Sequence, residues 1–290
     1  MNKIFIAILL LAITGCTPGL NEEVINQDPK PMNVTASFYP LAFISQRVGG
    51  KLVQVTQITP GGVEPHDYEP TPQDLTAVSN SQIFIKNGYG VDAWADNIVG
   101  VKATSKIEAM NGNSGLQDPH MWLNPLNLIS EAEVIRDAFV AGDPENSAKY
   151  MLNAQGLIND LKGLDQEFKD GLKECKVRQI VTSHDAFRYM AKRYNFETLA
   201  IAGLSPEEEP SPKRLAELSD FAKKNNIKYI FFETLVSPKL ADTIAKEIGA
   251  KSLVLNPIEG LTREEAIMGK DYLFLMQENL KNLRTAMQCK

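Results

Sequence analysis

The chain has 290 residues, 36 acidic against 30 basic, for a formal net charge of -6. Hydrophobic residues make up 43% and charged residues 23%, an ordinary globular balance over a length suited to one large domain or two lobes. The mild acidity and the lack of any run of five or six basic residues exclude nucleic acid as an expected partner.

The first stretch, MNKIFIAILLLAITGC, has one lysine, a short apolar run and small residues before Cys16. A bilayer span needs about 20 apolar residues, so this run reads as a secretory signal peptide over residues 1–15. Its Ile13-Thr14-Gly15-Cys16 ending resembles a bacterial lipobox, which implies a lipid on Cys16. The alternative is an ordinary signal peptide cut nearby. Residues 16–32 then form a polar, turn-rich tether.

Strands are expected at Asn33–Phe38 and Leu52–Ile58, with a helix over LAFISQRV between them, stopping at Gly49-Gly50. After a loop rich in proline and glycine, PQDLTAVSN starts a helix and QIFIKN a strand. This alternation predicts a parallel sheet covered by helices in a first lobe, residues 33–142. From Pro125 to Glu174 no strand signal appears. Ala154, Leu157, Ile158, Leu161, Leu164, Phe168 and Leu172 recur at helical spacing. Gly142-Asp143-Pro144 breaks this helix from an earlier one, with Asp143 a candidate cap. A helix from Pro144 to Lys173 is roughly 45 Å long, enough to cross a domain and join two lobes through residues 143–175. Alternation then resumes through a second lobe, residues 176–290. RQIVTS, TLAIA, KYIFFE and SLVL are strands. AFRYMAKRY, PKRLAELSDFAKKNN, PKLADTIAKEIG and one closing helix, REEAIMGKDYLFLMQENLKNL, accompany them.

Only three histidines are present, and each falls near the end of a predicted strand or in the loop beyond it. His66 lies in TPGGVEPHDYEPTPQDL, His120 in DPHMWLNP, and His184 ends RQIVTSH. Ligands of open parallel sheets bind outside the carboxyl ends of the strands, so distant positions can converge on one cleft. Imidazole is the commonest neutral ligand for zinc and similar metals, and Pro65 and Pro119 stiffen the backbone beside two of the rings. A lone loop histidine is ordinarily a surface or packing residue. The whole complement in equivalent places points to a metal.

Carboxylates near strand ends are Glu64, Asp67, Asp118, Asp185, Glu233 and Glu259. Asp118 and Asp185 adjoin the histidines and, with Glu233, are candidates to orient them. Glu259 follows a strand and sits between Pro257 and Gly260 in a turn that can aim it at the cleft. Glu259 is therefore expected as the fourth ligand, with Glu233 or water as the alternatives. With Cys16 lipidated, Cys175 and Cys289 remain either to pair in an oxidising compartment or to stay as thiols.

The stretches VTASFYPLAFISQRVGG, PGGVEPHDYEPTPQDL, DPHMWLNP, TSHDAFRYMAKRYNF, GLSPEEEPSPKRLAEL and LNPIEGLT, in this order from Val34 to Thr262, resemble the metal-binding lipoproteins that deliver zinc or manganese to bacterial ABC importers. The resemblance implies two α/β lobes joined by one long rigid helix, with the metal between them. It places the ligands at His66, His120, His184 and a carboxylate. It also implies an exported monomer, lipid-anchored and facing the periplasm or cell exterior, with a membrane permease as partner. Manganese members carry a glutamate where this chain has His184. Three nitrogens and one oxygen suit Zn2+ better than Mn2+. Zinc members often carry a long histidine-rich loop before the second histidine. SKIEAMNGNSGLQDPH is short and lacks one. A zinc hydrolase is the contrasting enzyme reading, disfavoured because no H-E-x-x-H helix is present. A metal-dependent adhesin is the contrasting interaction reading.

Overall fold

The computed structural model describes residues 30–96, 98, 105–108, 118–206 and 210–290. The signal peptide, Cys16 and all of the tether before residue 30 lie outside the described residues.

Two four-stranded parallel sheets organise the fold. The first joins β1 (Met32–Ala36), β2 (Val53–Gln57), β3 (Ile83–Lys86) and β4 (Ser105–Glu108) in the order β2-β1-β3-β4. The second joins β5 (Gln179–Thr182), β6 (Glu197–Ala200), β7 (Tyr229–Phe232) and β8 (Lys251–Val254) in the order β6-β5-β7-β8. The two lobes thus share one topology. In each, strand order reverses beside the first strand, which opens a crevice at the carboxyl edge.

Helices α1 (Tyr39–Gly49), α2 (Pro72–Ser79) and α3 (Pro125–Gly142) accompany the first sheet. Helices α5 (Arg188–Tyr194), α6 (Pro212–Lys224) and α7 (Lys239–Ile248) accompany the second, followed by α8 (Arg263–Ile267) and α9 (Tyr272–Ala286). Between the lobes runs α4 (Ser147–Gly171), 25 residues long. It packs on α1 and α3 of the first lobe and on α9 of the second. Its apolar stripe, Tyr150, Ala154, Leu157, Leu161, Leu164 and Phe168, is buried along its whole length.

One apolar core runs through both lobes. It includes Phe38, Ile44, Trp122 and Phe139 on one side and Ile180, Phe187, Phe231, Leu255 and Tyr272 on the other, with the α4 stripe between. Smaller clusters cover the outer faces of the sheets, around Ile58, Val78 and Phe84 in the first lobe and Val181, Leu218 and Ile230 in the second. Because the main core is continuous, moving one lobe against the other would expose apolar surface.

The structure departs from the sequence expectations in four places. The linking helix starts at Ser147, because Pro144–Asn146 forms a 3-10 turn. Asp143 does not cap that turn; its carboxylate accepts from Asn146 Nδ2 and the Tyr150 hydroxyl, both at 2.8 Å. The closing helix is two helices, broken where Gly269 takes φ +66° and Asp271 caps a new start by accepting from Phe274 N. Strand β4, SKIE, has no counterpart among the expected strands, because two of its four residues are charged and it has no apolar run.

Cys175 and Cys289 form an antiparallel bridge and a disulfide, closing 114 residues of chain. A cross-link over so long a loop removes much freedom from the unfolded chain, worth about 2–4 kcal/mol. The exported protein should therefore yield no alkylated thiol at these positions until reduced, and Cys175→Ser with Cys289→Ser should lower the melting temperature. Two freely alkylated thiols by intact mass would count against the pairing.

Glu131 of α3 is fully buried, and neither carboxylate oxygen has a hydrogen-bond partner. Burial alone pushes its pKa up to about 8. The unfolded carboxyl loses its proton near pH 4.5, so between that pH and about 8 the folded state holds the extra proton. Stability therefore falls as pH rises through this window, by about 1.4 kcal/mol per pH unit at most. Glu131→Leu should gain stability over the parent progressively from pH 5 to pH 8 in urea titrations. A difference independent of pH would contradict this account.

Candidate metal centre

Each candidate ligand sits on a short, braced segment. His66 occupies a 3-10 turn, Pro65–Asp67, whose Glu64 cap accepts from His66 N at 3.2 Å. His120 immediately precedes the 3-10 turn Met121–Leu123 ahead of α3. The Pro119 carbonyl beside it accepts from Asn87 Nδ2, just past β3. His184 lies two residues past β5, where its carbonyl accepts from Thr182 Oγ1 at 2.9 Å. Glu259 lies in the turn after β8. The loops carrying His66 and Glu259 approach closely: a Cβ on Gly61 would stand 3.2 Å from the Leu261 carbonyl, which favours glycine there.

The four side chains converge. His66 Nε2 lies 3.2 Å from His120 Nε2, which lies 3.2 Å from His184 Nε2. Glu259 Oε1 lies 3.1, 3.4 and 3.5 Å from the Nε2 atoms of His120, His66 and His184. All four ligand atoms fall within 4.8 Å of one another. A tetrahedral zinc with bonds of about 2.0–2.1 Å has edges of about 3.3 Å, and the five named separations match that edge.

Protonation chemistry points the same way. His120 Nδ1 is 2.8 Å from Asp118 Oδ1, and His184 Nδ1 is 2.6 Å from Glu233 Oε1. A carboxylate accepts, so each Nδ1 carries the hydrogen and each Nε2 turns a lone pair toward Glu259. Lone pairs facing a carboxylate oxygen in a dry interior repel unless a cation or a proton sits among them. Burial disfavours charge on His184 and His120, but Glu233 with Glu259 and Asp118 with Glu259 outweigh it. They hold His184 well above, and His120 above, the ordinary imidazole value. Burial likewise pushes Glu259 up, yet the three imidazoles crowded around its carboxylate prevail and hold it well below the usual carboxylate range. Glu64 is raised to about 9 by burial and by the charge of Glu259.

Asp118 and Glu233 thus stand behind the histidines as ring-orienting carboxylates, and Glu259 converges on the Nε2 atoms whereas Glu233 does not. Asp185 departs from expectation: its carboxylate turns to Arg188, accepting from Nε at 2.8 Å. Asp67 is exposed. Three residues carry positional contacts that no motif revealed. Trp122 Nε1 donates to the Pro257 carbonyl at 2.7 Å, Asn279 grips the backbone of Asn256, and Asn256 Oδ1 accepts from Ile258 N at 2.7 Å. Ile258 has φ +58°, an unfavourable region for a β-branched residue, costing of order 1–3 kcal/mol. Trp122 and Asn256 lie within DPHMWLNP and LNPIEGLT, but neither stretch by itself signals these contacts.

Two parallel-sheet lobes on a rigid connecting helix, with a buried nitrogen-rich cation site between them, define a metal-binding receptor of the two-lobed α/β class. The chain belongs to the family of the zinc-uptake complex component A, periplasmic (ZnuA), which matches residues 34–286. It is 33% identical to the high-affinity zinc uptake system protein ZnuA of Bacillus subtilis, across 98% of this chain and 97% of that protein. It is 34% identical to the zinc-binding lipoprotein AdcA of Streptococcus pneumoniae over 87% of this chain, but spans only 55% of that longer protein. The zinc-bound ZnuA-like domain of Streptococcus pneumoniae AdcA superposes with a TM-score of 0.79 at 36% identity, covering 89% of this chain and 99% of that domain.

Asp118→Asn and Glu233→Gln should each weaken zinc binding about 10–100-fold in chelator competition, since each frees a ring to rotate or change tautomer. Asp185→Asn should bind like the parent. Equal losses at Asp185 and Glu233 would overturn these assignments.

Proposed function

We infer that this protein is an extracytoplasmic zinc receptor that captures Zn2+ and hands it to an ABC importer. The observation that carries the reading is the set of four protein donors at tetrahedral spacing, three of them imidazole nitrogens, in a chain of the zinc-uptake family. His66, His120, His184 and Glu259 are the ligands. The lone carboxylate offsets one of the two zinc charges, and a set with three nitrogens favours zinc over manganese.

The same geometry argues against catalysis. A catalytic zinc keeps an open position for water, whereas here four protein atoms supply a full tetrahedral set. His66 is the entry side, its side chain 8% exposed while those of His120, His184 and Glu259 are sealed. Zinc would pass that ring on arrival and on release to the permease. The lipobox-like sequence supports a lipid on Cys16, holding the receptor at the membrane as a monomer, with lobes at 33–142 and 176–290 joined through 143–175.

Calorimetry should find one tight zinc per chain, because all three histidines serve one site. Affinity should fall as pH drops, because protons compete for the imidazoles. His120 and His184 titrate above the ordinary value, so the fall should begin above pH 6.5 and steepen below it. Two tight equivalents, or an affinity constant from pH 7.5 to pH 5, would contradict the assignment. Glu259→Ala should weaken binding less than His120→Ala, since water can take the vacated position.

A further inference from the structure

The backbone that carries Glu259 is gripped from both lobes. Within the second lobe, Asn279 of α9 clamps Asn256, accepting from its N–H at 2.8 Å and donating to its carbonyl at 2.7 Å. The Asn256 side chain in turn holds Ile258 N. From the first lobe, the Trp122 indole N–H reaches across to the Pro257 carbonyl at 2.7 Å. The Trp122 carbonyl accepts from the Tyr272 hydroxyl at 2.5 Å, so the tryptophan is fastened to the second lobe in two directions. Trp122, Asn256, Asn279 and Tyr272 are all buried. The bond from Trp122 falls on the peptide just before Ile258, whose left-handed backbone (φ +58°) turns the chain so that Glu259 faces the histidines.

Trp122 also sits two residues from His120, in the 3-10 turn that His120 leads into. One rigid turn therefore presents a metal ligand and, two residues on, a strut to the peptide beside another ligand. Its ring is wedged between Phe38 at 5.0 Å and the His120 imidazole at 5.2 Å, so the strut cannot swing independently.

We propose that Trp122 is a positioning residue for zinc: its indole N–H, with the Asn279 clamp, holds the strained Pro257-Ile258 turn so that Glu259 meets the three histidines at coordinating distance. Without the strut, Ile258 relaxes toward negative φ and carries the carboxylate away from the imidazoles. The proposal rests on Glu259 being a ligand.

The test is a double-mutant cycle in chelator competition on the full chain. Trp122→Phe keeps an aromatic ring and removes only the donor. It should weaken zinc binding about tenfold in the parent and less than twofold when Glu259→Ala is already present. The visible bands of bound Co2+ should shift in Trp122→Phe in the same sense as in Glu259→Ala, because in both water replaces the carboxylate oxygen in the fourth position. Asn279→Leu should show the same dependence on Glu259, which guards against a Trp122 variant that folds poorly. Equal weakening by Trp122→Phe in both backgrounds, or a parent-like Co2+ spectrum in a folded Trp122→Phe, would overturn the proposal. If Glu259→Ala alone binds zinc like the parent, the ligand assignment itself falls, and the positioning role falls with it.

Discussion

Four lone-pair donors held at one point in a dry interior are the constraint around which the rest of this molecule is arranged. Left alone, three imidazole nitrogens and a carboxylate oxygen at 3.1–3.5 Å would rotate apart or draw in water. Each is denied that escape. Asp118 and Glu233 fix two rings by their Nδ1 hydrogens, the Glu64 cap fixes the turn of the third, and the gripped turn after β8 fixes Glu259. The charge balance follows the same logic. Asp118, Glu233 and Glu259 surround the rings with carboxylates, so a divalent cation entering the cluster meets compensating charge without needing water to supply it.

Such a site spans two lobes, so its precision depends on how the lobes are joined. Receptors that close on large ligands need a hinge with little apolar surface crossing it. Here the core is continuous from Phe38 through the α4 stripe to Phe231 and Tyr272. Three hydrogen bonds from buried donors add register across the divide: Trp122 to Pro257, Tyr272 to Trp122, and Tyr189 to the Asp118 carbonyl. The last two end on residues beside His120, and the first ends beside Glu259. A cargo as small as a metal ion needs no large closure, only fixed donors and one ring at the rim, and a shared core with few polar struts provides both.

The sequence carried more of the site than of its support. The three histidines were legible because they are scarce, lie at strand ends and are flanked by proline, and because parallel sheets gather such ends at one edge. Glu259 was legible only as one of several acidic residues past strands, since nothing local to LNPIEGLT distinguishes a ligand from a capping residue. Asp185 shows the limit from the other side. Adjacency to His184 in the chain suggested a partner, yet the side chain of the next residue points elsewhere, and Arg188 one turn on captures it. The true partner of His184, Glu233, lies 49 residues away, just past the end of the neighbouring strand β7. Pairing across strands follows from sheet order, which single residues do not encode.

The fold was read in the same uneven way. Strands with apolar runs and helices with a 3.6-residue stripe were visible, whereas β4 was not, because a charged edge strand lacks an apolar run. The pattern predicts one closing helix because an isolated glycine such as Gly269 is tolerated inside a helical pattern. Here the break matters to the site. Ending α8 at Ile267 lets α9 start afresh at Tyr272, which brings the Tyr272 hydroxyl onto Trp122 and, two turns on, Asn279 onto Asn256. A single straight helix from Arg263 could not serve the capping box of Thr262 and Glu265 at one end and both grips along the other. The glycine that looks like a weak point in the helical pattern is thus what allows one C-terminal helix to brace the turn that presents Glu259.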